Sequence, residues 1–586
     1  MTDLKQVISQ RFSDALTRAF GSEGAQVDPL VRQAQDARFG DFQANAAMSL
    51  GKKLGRKPRD VAQAIVAELH LDDICSKVEV AGPGFVNLTL NDRFVSSAVE
   101  ALARDERLGI TPAVSPQTVV IDYSSPNVAK EMHVGHLRSS VIGDSLARVL
   151  EQLGHRVLRH NHLGDWGTQF GMLIEHLVAP PDGGGIDDVG LEHELRDLNR
   201  FYREAKARFD ADPDFAERAR QRVVALQAGD ATTLAWWQRL VVVSKRHFNA
   251  VYDKLGVSLR DEHIVGESHY NAMLGQVVLE LAPVTRVDDG AMCAFVPGFE
   301  GPDGTPTPLI IRKSDGGYGY GATDLAAVRE RATVLGASRL IYVVDARQSA
   351  HFAQVFWVAT QAGWLGPLAR AEHVKFGTIL GPDNKPFKTR SGDTVRLMDL
   401  LVEAEDRAAR IVEEKNAGFP PAEKAAIAHV VGIGAVKYAD LCNDRIKDYV
   451  FDWDRMMAMD GNTAPYLQYA YARIQSIFRK AGIEDRRAYL IDATLRLETP
   501  EERVLALRLL GLEPVIRAVG DDLEPHQLCR YLFELAAAFS AFFNACPVLS
   551  AQSTELRISR LLLCEVTART LKLGLGLLGI EVLERM

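Results

Sequence analysis

The run His133-Val-Gly135-His136 places two imidazoles three residues apart around a glycine. Before it, residues 118–123 are β-branched and aromatic, as in a strand; after it, Leu137, Val141, Ile142, Leu146, Val149 and Leu150 recur at helical spacing. A helix therefore begins near His136. Its first backbone N–H groups lack intrahelical partners and carry the positive end of the helix dipole, so an anion is favoured in front of them. Gly135 leaves that approach open and the imidazoles add donors, a combination suited to a nucleotide phosphate. The plain alternative is a strand-to-helix turn with two surface histidines. A second basic feature, Lys385-Pro-Phe-Lys388, follows the turn-rich stretch 377–384 and could fold two ammonium groups over phosphates. On its own it reads more readily as a solvated loop.

The elements that position these residues alternate. From Gln117 the order is strand (118–123), helix (137–153), strand (156–161) and helix (169–177), the pattern of a parallel sheet wrapped by helices. Ligands of such sheets bind at the carboxyl ends of the strands, where the two histidines fall. A glycine-rich stretch, 182–185, and a charged helical tract, 192–255, read as an insertion before the sheet resumes at 310–312 and 339–344. Ahead of the sheet, 4–20, 42–54 and 61–69 have helical patterns, and 78–81 and 85–90 read as strands. After Leu397 the chain is almost wholly helical. At 586 residues the chain is too long for one core. The divisions expected are 1–111, 112–395 with an insertion at about 180–290, a helical connection 396–461 and an all-α unit 462–586.

Composition narrows the class. With 47% hydrophobic and 25% charged residues the chain reads as globular, and it contains no uninterrupted apolar span of the roughly 20 residues a membrane helix needs. Its start lacks a signal pattern, so the expectation is a cytoplasmic protein without a membrane. A net charge of -9 argues against coating nucleic acid nonspecifically; a nucleic-acid partner would be met by local patches such as Lys52, Lys53, Arg56, Lys57 and Arg59. Six scattered cysteines without a Cys-x-x-Cys pair suggest neither a disulfide scaffold nor a thiolate zinc site. His160, His162 and Asp165 lie close in sequence, but a turn after a strand explains them more simply than a metal does, and no metal ligand is assigned.

The stretch 122–139, with Ser-Pro-Asn-Val-Ala-Lys before the first histidine and Leu-Arg-Ser after the second, resembles the "HIGH" region of class I aminoacyl-tRNA synthetases, in the wording of the arginyl family. His162-Leu-Gly-Asp165-Trp-Gly-Thr-Gln169, Tyr320-Gly-Ala-Thr-Asp324, Lys385-Pro-Phe-Lys388-Thr and Asn462-Thr-Ala-Pro-Tyr-Leu-Gln-Tyr-Ala-Tyr-Ala-Arg473 follow in that family's order. The resemblance spans nearly the whole chain. It implies an α/β protein: a Rossmann-like parallel-sheet catalytic domain, an N-terminal α+β domain and an all-α, DALR-type anticodon-binding bundle.

It further implies ATP with Mg²⁺ as co-substrate and no zinc, L-arginine and tRNA(Arg) as partners, and a monomer. Catalytic contacts would come from Lys130, His133, Gly135, His136, Lys385 and Lys388. The family's "KMSKS" loop keeps both lysines here, but Met has become Pro and the serines Phe and Thr. A guanidinium presents five donors in a planar fork that carboxylates match. By resemblance the acceptors are Asp122 and Asp324, with Tyr320 beside them, while Ser125, Asn127, His136 and Gln348 hold the amino-acid end. Asp324 also reads as a helix N-cap. For tRNA, Lys52 and Lys53 would meet the elbow, and Tyr466, Tyr469 and Arg473, with the terminal Met586, the anticodon region; core packing is the other reading of these aromatics. A small-molecule nucleotidyltransferase would also use His-x-Gly-His, but would not need two tRNA-sized appendages. A non-catalytic tRNA-binding paralogue would not need to keep both histidines and both lysines.

Overall fold

The structure is a computed structural model that describes residues 4–34, 36–179, 197–301, 303–388, 394–415 and 418–586. The glycine-rich stretch 182–190 and residues 389–393 of the lysine loop lie outside the described residues.

The N-terminal unit begins with the helix Leu4–Phe20, whose Ile8, Phe12, Ala15 and Leu16 form its buried stripe. Its antiparallel sheet has the order β1-β2-β4-β3, from β1 (Val31–Gln33), β2 (Phe42–Ala44), β3 (Cys75–Ala81) and β4 (Phe85–Leu90). Residues 42–44 were expected to open a helix and instead form β2. Phe42 and Ala44 bury on the same face while pairing with both β1 and β4, and the helix starts only at Ala46. Cross-strand pairing thus outweighs the local helical pattern.

The central sheet is parallel, in the order β11-β10-β5-β6, with β5 (Thr118–Asp122), β6 (Arg156–His160), β10 (Arg339–Tyr342) and β11 (Arg370–His373). Strand alternation divides two cores. Val119, Ile121, Ile341 and Val343 face the motif helix Val134–Gln152, whereas Val120, Leu340 and Tyr342 face a cluster with Leu325 and Val328 of the helix Tyr320–Arg329 and Phe352 and Val355 of the helix Ser349–Gln361. The chain leaves β5 towards β6 and later returns on the other side of β5 at β10. The carboxyl ends of β5 and β10, at Asp122 and Tyr342, therefore flank the point where the strand order reverses, the place where such sheets bind ligands.

Residues 310–312, expected in this sheet, lie elsewhere. β9 (Leu309–Arg312) joins β7 (Arg286–Asp288) and β8 (Ala291–Ala294) in a small antiparallel sheet. The β7–β8 turn is Asp289-Gly290, both left-handed at φ 44° and 75°, which matches the twist of a two-residue hairpin. The insertion's described part contains the helices Leu198–Ala211, Pro213–Gln227 and Ala231–Leu255. Beyond the sheet, β12 (Ile379–Leu380) pairs in parallel with β13 (Tyr449–Val450), joining the lysine loop to the stem helices Leu397–Lys415 and Pro421–Leu441. The C-terminal bundle includes Ala464–Ala481, His526–Ala545 and Thr554–Leu577.

The N-terminal unit docks on that bundle. Arg503 reaches Asp41 at 2.7 Å and Asp92 at 2.8 Å, and Arg569 donates to the Ala103 carbonyl at 2.7 Å. Five of the six free cysteines are buried and Cys442 is half-buried. Among the described residues, no helix is long and apolar enough to cross a membrane.

Candidate active site

The two histidines cap their own helix. His133 is the N-cap: its Nδ1 accepts the Gly135 N–H at 3.1 Å, while His136 Nδ1 accepts the His133 N–H at 3.0 Å. Each ring therefore uses Nδ1 as an acceptor, which leaves Nε2 to carry the proton and donate outward. Burial pushes the His136 pKa down to about 3, and burial with Lys130 and Arg347 nearby lowers that of His133. Both are neutral donors at physiological pH. Gly135 has a reason invisible in the sequence: a Cβ there would lie 2.8 Å from the His133 ring.

Between β5 and this helix the backbone is strained. Ser124, Ser125 and Ala129 adopt φ of 73°, 49° and 62°, a left-handed region that non-glycine residues rarely occupy and that needs support from its surroundings. That support comes from four side chains. Ser139 Oγ accepts the Ser124 N–H (2.8 Å), Asn161 Oδ1 the Ser125 N–H (3.0 Å) and Ser244 Oγ the Ala129 N–H (2.9 Å). Tyr252 bonds through its hydroxyl to Ser124 Oγ and Asn161 Nδ2. Ser244 and Tyr252 belong to the insertion's long helix, so the insertion braces this loop. Asn127 packs on Gly164, where a Cβ would come within 2.1 Å of its Oδ1.

A cluster of acids lies at the carboxyl end of the same sheet. Asp324 stands in the helix Tyr320–Arg329, whose N-cap is Gly319, so it is not the cap; its Oδ2 meets His351 Nε2 at 2.6 Å. That bond raises the His351 pKa. This helix covers the opposite sheet face from the motif helix, and Asp324 comes within electrostatic reach of His162, Tyr342 and Glu267. Tyr320 is 72% exposed one turn earlier, with Glu267 and Tyr202 acting on its hydroxyl; Gln348 is exposed beyond the end of β10.

Asp122 already has partners within the chain. Its Oδ2 pairs with Arg331 at 2.7 Å and its Oδ1 accepts from Ser125 Oγ at 2.9 Å, so both oxygens are engaged. Burial pushes this carboxyl up, but the buried Arg331 guanidinium, with the Ser125 hydroxyl, outweighs that and holds it below its usual range. A second acid, which sequence reasoning missed, faces Asp324 instead. Glu267 is placed by Asp165, which takes the Ser268 N–H and hydroxyl at 2.8 and 2.7 Å. Burial, Asp324 and Asp165 together push Glu267 up to about 8. The Asp165 of the second motif is the only sequence signal pointing toward this position.

The lysine loop is tied to the histidine loop through the backbone. Val134 donates to the Val395 carbonyl at 2.9 Å, Leu397 to that of Met132 at 2.9 Å, and His133 and Arg396 form a bridge. A cavity of about 520 Å³ opens here, lined by Asn127, Lys130, His133, His136, Tyr202 and Arg396 among others. The Lys130 ammonium sits 4.4 Å from the centre of the Tyr202 ring. Lys385 and Lys388 are exposed and do not line the cavity; between them Phe387 stacks on Phe451 at 5.0 Å.

The sequence model of the class I (R) tRNA synthetase catalytic domain matches residues 98–453. The chain belongs to the arginyl-tRNA synthetase family. The arginyl-tRNA synthetase N-terminal domain matches residues 6–90 and the DALR anticodon-binding domain residues 467–586. The chain is 54% identical to an arginine–tRNA ligase of Thermobifida fusca over 100% of both chains, and 52% identical to one of Synechococcus elongatus over 99% of both. Among solved structures it resembles the arginyl-tRNA synthetase of Plasmodium falciparum (TM-score 0.86, 30% identity) and that of Thermus thermophilus (TM-score 0.81, 27% identity), each over 100% of both chains.

The residues expected to meet tRNA separate by environment. Lys52 and Lys53 are exposed on the last turn of the helix Ala46–Leu54. Tyr469 is exposed and carries the Arg473 guanidinium 4.8 Å over its ring, whereas Tyr466 is half-buried against Phe533 and Tyr471 is buried, bonded to Glu584. Met586 packs on the stem cluster of Ala408, Val412 and Ile427.

Proposed function

We propose that the chain activates L-arginine with ATP and transfers it to the terminal adenosine of tRNA(Arg), by way of arginyl-adenylate and the 2′-hydroxyl. The observation that carries this reading is the placement, at the carboxyl end of one parallel sheet, of two neutral imidazole donors at a helix N-terminus and of an acidic pair, Asp324 and Glu267, on the other side of the strands. As the arginine carboxylate attacks the α-phosphate, charge grows on the phosphoryl oxygens, and the His133 and His136 Nε2–H groups with Lys130 stabilise it. Lys385 and Lys388 close over the departing pyrophosphate. Mg²⁺ accompanies the nucleotide and neutralises its phosphates.

Asp324 and Glu267 take the substrate guanidinium, flanked by Tyr320, while Ser125, Asn127 and Gln348 hold the amino and carboxylate end. An uncharged isostere such as citrulline would lack the charge and part of the donor fork these acids accept, and be rejected by roughly 10⁴-fold. Lys52, Lys53, Tyr469 and Arg473 offer tRNA contacts; Tyr466 and Met586 border that surface. The enzyme acts as a cytoplasmic monomer. ATP–pyrophosphate exchange, run with each amino acid with and without total tRNA, tests the reading: exchange is expected with arginine plus tRNA. Exchange driven by another amino acid, or by none, would overturn it.

A further inference from the structure

Arg331 is 0% exposed and lies on a π-helical turn, Glu330–Val334, that continues the helix carrying Asp324. Such turns are rare and concentrate at functional sites. Its guanidinium lies 2.7 Å from Asp122 Oδ2 and 5.0 Å from the Tyr342 ring centre. Asp122, itself 5% exposed, spends its other oxygen on Ser125, one of the strained residues of the catalytic loop. The chain has thus placed an arginine of its own beside a site that handles arginine.

We propose that Arg331 is a specificity-determining positioning residue: it occupies Asp122, so that Asp324, which His351 also contacts, and Glu267 are left as the acids that take the substrate's guanidinium. The inference rests on the arginine-activating reading. Asp122, Asp165, Glu267, Asp324 and Glu330 all act on this region, and His160 and His162 are kept neutral by burial. Without Arg331, Asp122 would be a buried charge lacking a partner, and it would compete for the incoming guanidinium and release Ser125.

The test compares Arg331→Met, Asp122→Asn and the double variant in the full chain, measuring KM for arginine and for ATP separately by exchange in the presence of tRNA. Arg331→Met is expected to raise the arginine KM on the order of 10²-fold, because one member of a buried pair is left behind, with the ATP KM unchanged. Removing both charges should restore most of that loss, bringing the double variant closer to wild type than either single variant. A double variant as impaired as Asp122→Asn or worse would make Asp122 a direct ligand and sink the proposal, as would parallel rises in both KM values. Should these variants fail to fold, Arg331→Lys carries the test. It keeps the charge without the fork and is expected to raise the arginine KM about tenfold; a wild-type value overturns the role. Wild-type exchange is read first: failure there counts against the reaction and this inference together, failure of the variant pattern against Arg331 alone.

Discussion

Gly135→Ala separates what the motif glycine does for the fold from what it does for chemistry. Its backbone is helical, so an alanine meets no conformational penalty and gains up to about 1 kcal/mol of helix propensity. The added Cβ would lie 2.8 Å from His133 Cε1 and 2.9 Å from Nδ1, closer than real contacts allow. The imidazole is crowded on one side but opens to solvent on the other, so it can swing away. Doing so breaks the cap bond to the Gly135 N–H, at a cost of about 1 kcal/mol, and the two terms roughly cancel. Thermal stability should therefore barely move. Activation should fall on the order of 10²-fold, because a donor aimed at the α-phosphate is displaced. Gly143→Ala in the same helix is the control: its Cβ would lie 2.3 Å from Tyr123 Cβ and Cγ, both buried, and nothing there can turn aside. That variant should lose about 1–3 kcal/mol of stability or more. Exchange kinetics and thermal melts on both variants decide the matter. If Gly135→Ala exchanges within a factor of about three of wild type, the donor argument fails; if it melts as early as Gly143→Ala, the imidazole did not yield.

Other consequences can be measured independently. Glu267, with its pKa raised to about 8, is largely protonated at pH 7, so arginine binding should release roughly one proton there, and Glu267→Gln should abolish the release; calorimetry in buffers of different ionisation enthalpy reads this directly. His351 competes with substrate for Asp324 while protonated. Because its folded pKa lies above 6.5, its stabilising bond is full below 6.5 and is lost as pH rises through the folded value, and the arginine KM should fall over that same rise. His351→Gln should erase that step of the KM profile while leaving the one near pH 8 from Glu267; an unchanged profile would rule His351 out. Lys388→Ala should slow exchange much more than it weakens tRNA binding in a filter assay, and equal effects would contradict a role over the pyrophosphate.

The sequence was most legible where local rules and tertiary context agree. β5, the motif helix and β6 appear within a few residues of their expected ends because apolar periodicity and burial coincide there. Residues 42–44 form a strand where a helix is expected, and 310–312 form a strand in another sheet, because short segments take their place from a partner strand, β4 in one case and β8 in the other. The hairpin that draws in the second run carried a readable signal, Asp289-Gly290 between two short strands. In the site, the histidines and Asp324 could be found because their motif surrounds them. Glu267 could not, since its position depends on Asp165 more than a hundred residues earlier gripping Ser268. Arg331 was equally hidden: nothing local distinguishes an arginine that turns inward to an aspartate from one that points to water.

The clasp between the first and last units has a consequence for synthesis. Arg503 meets Asp92 and Asp41 across 411 and 462 residues of chain. At roughly 5–20 residues per second, the opening unit leaves the ribosome some 20–90 s before its mate exists. During that interval its acidic face is bare, and whatever shields the newborn chain must tolerate an unfinished handshake between its beginning and its end.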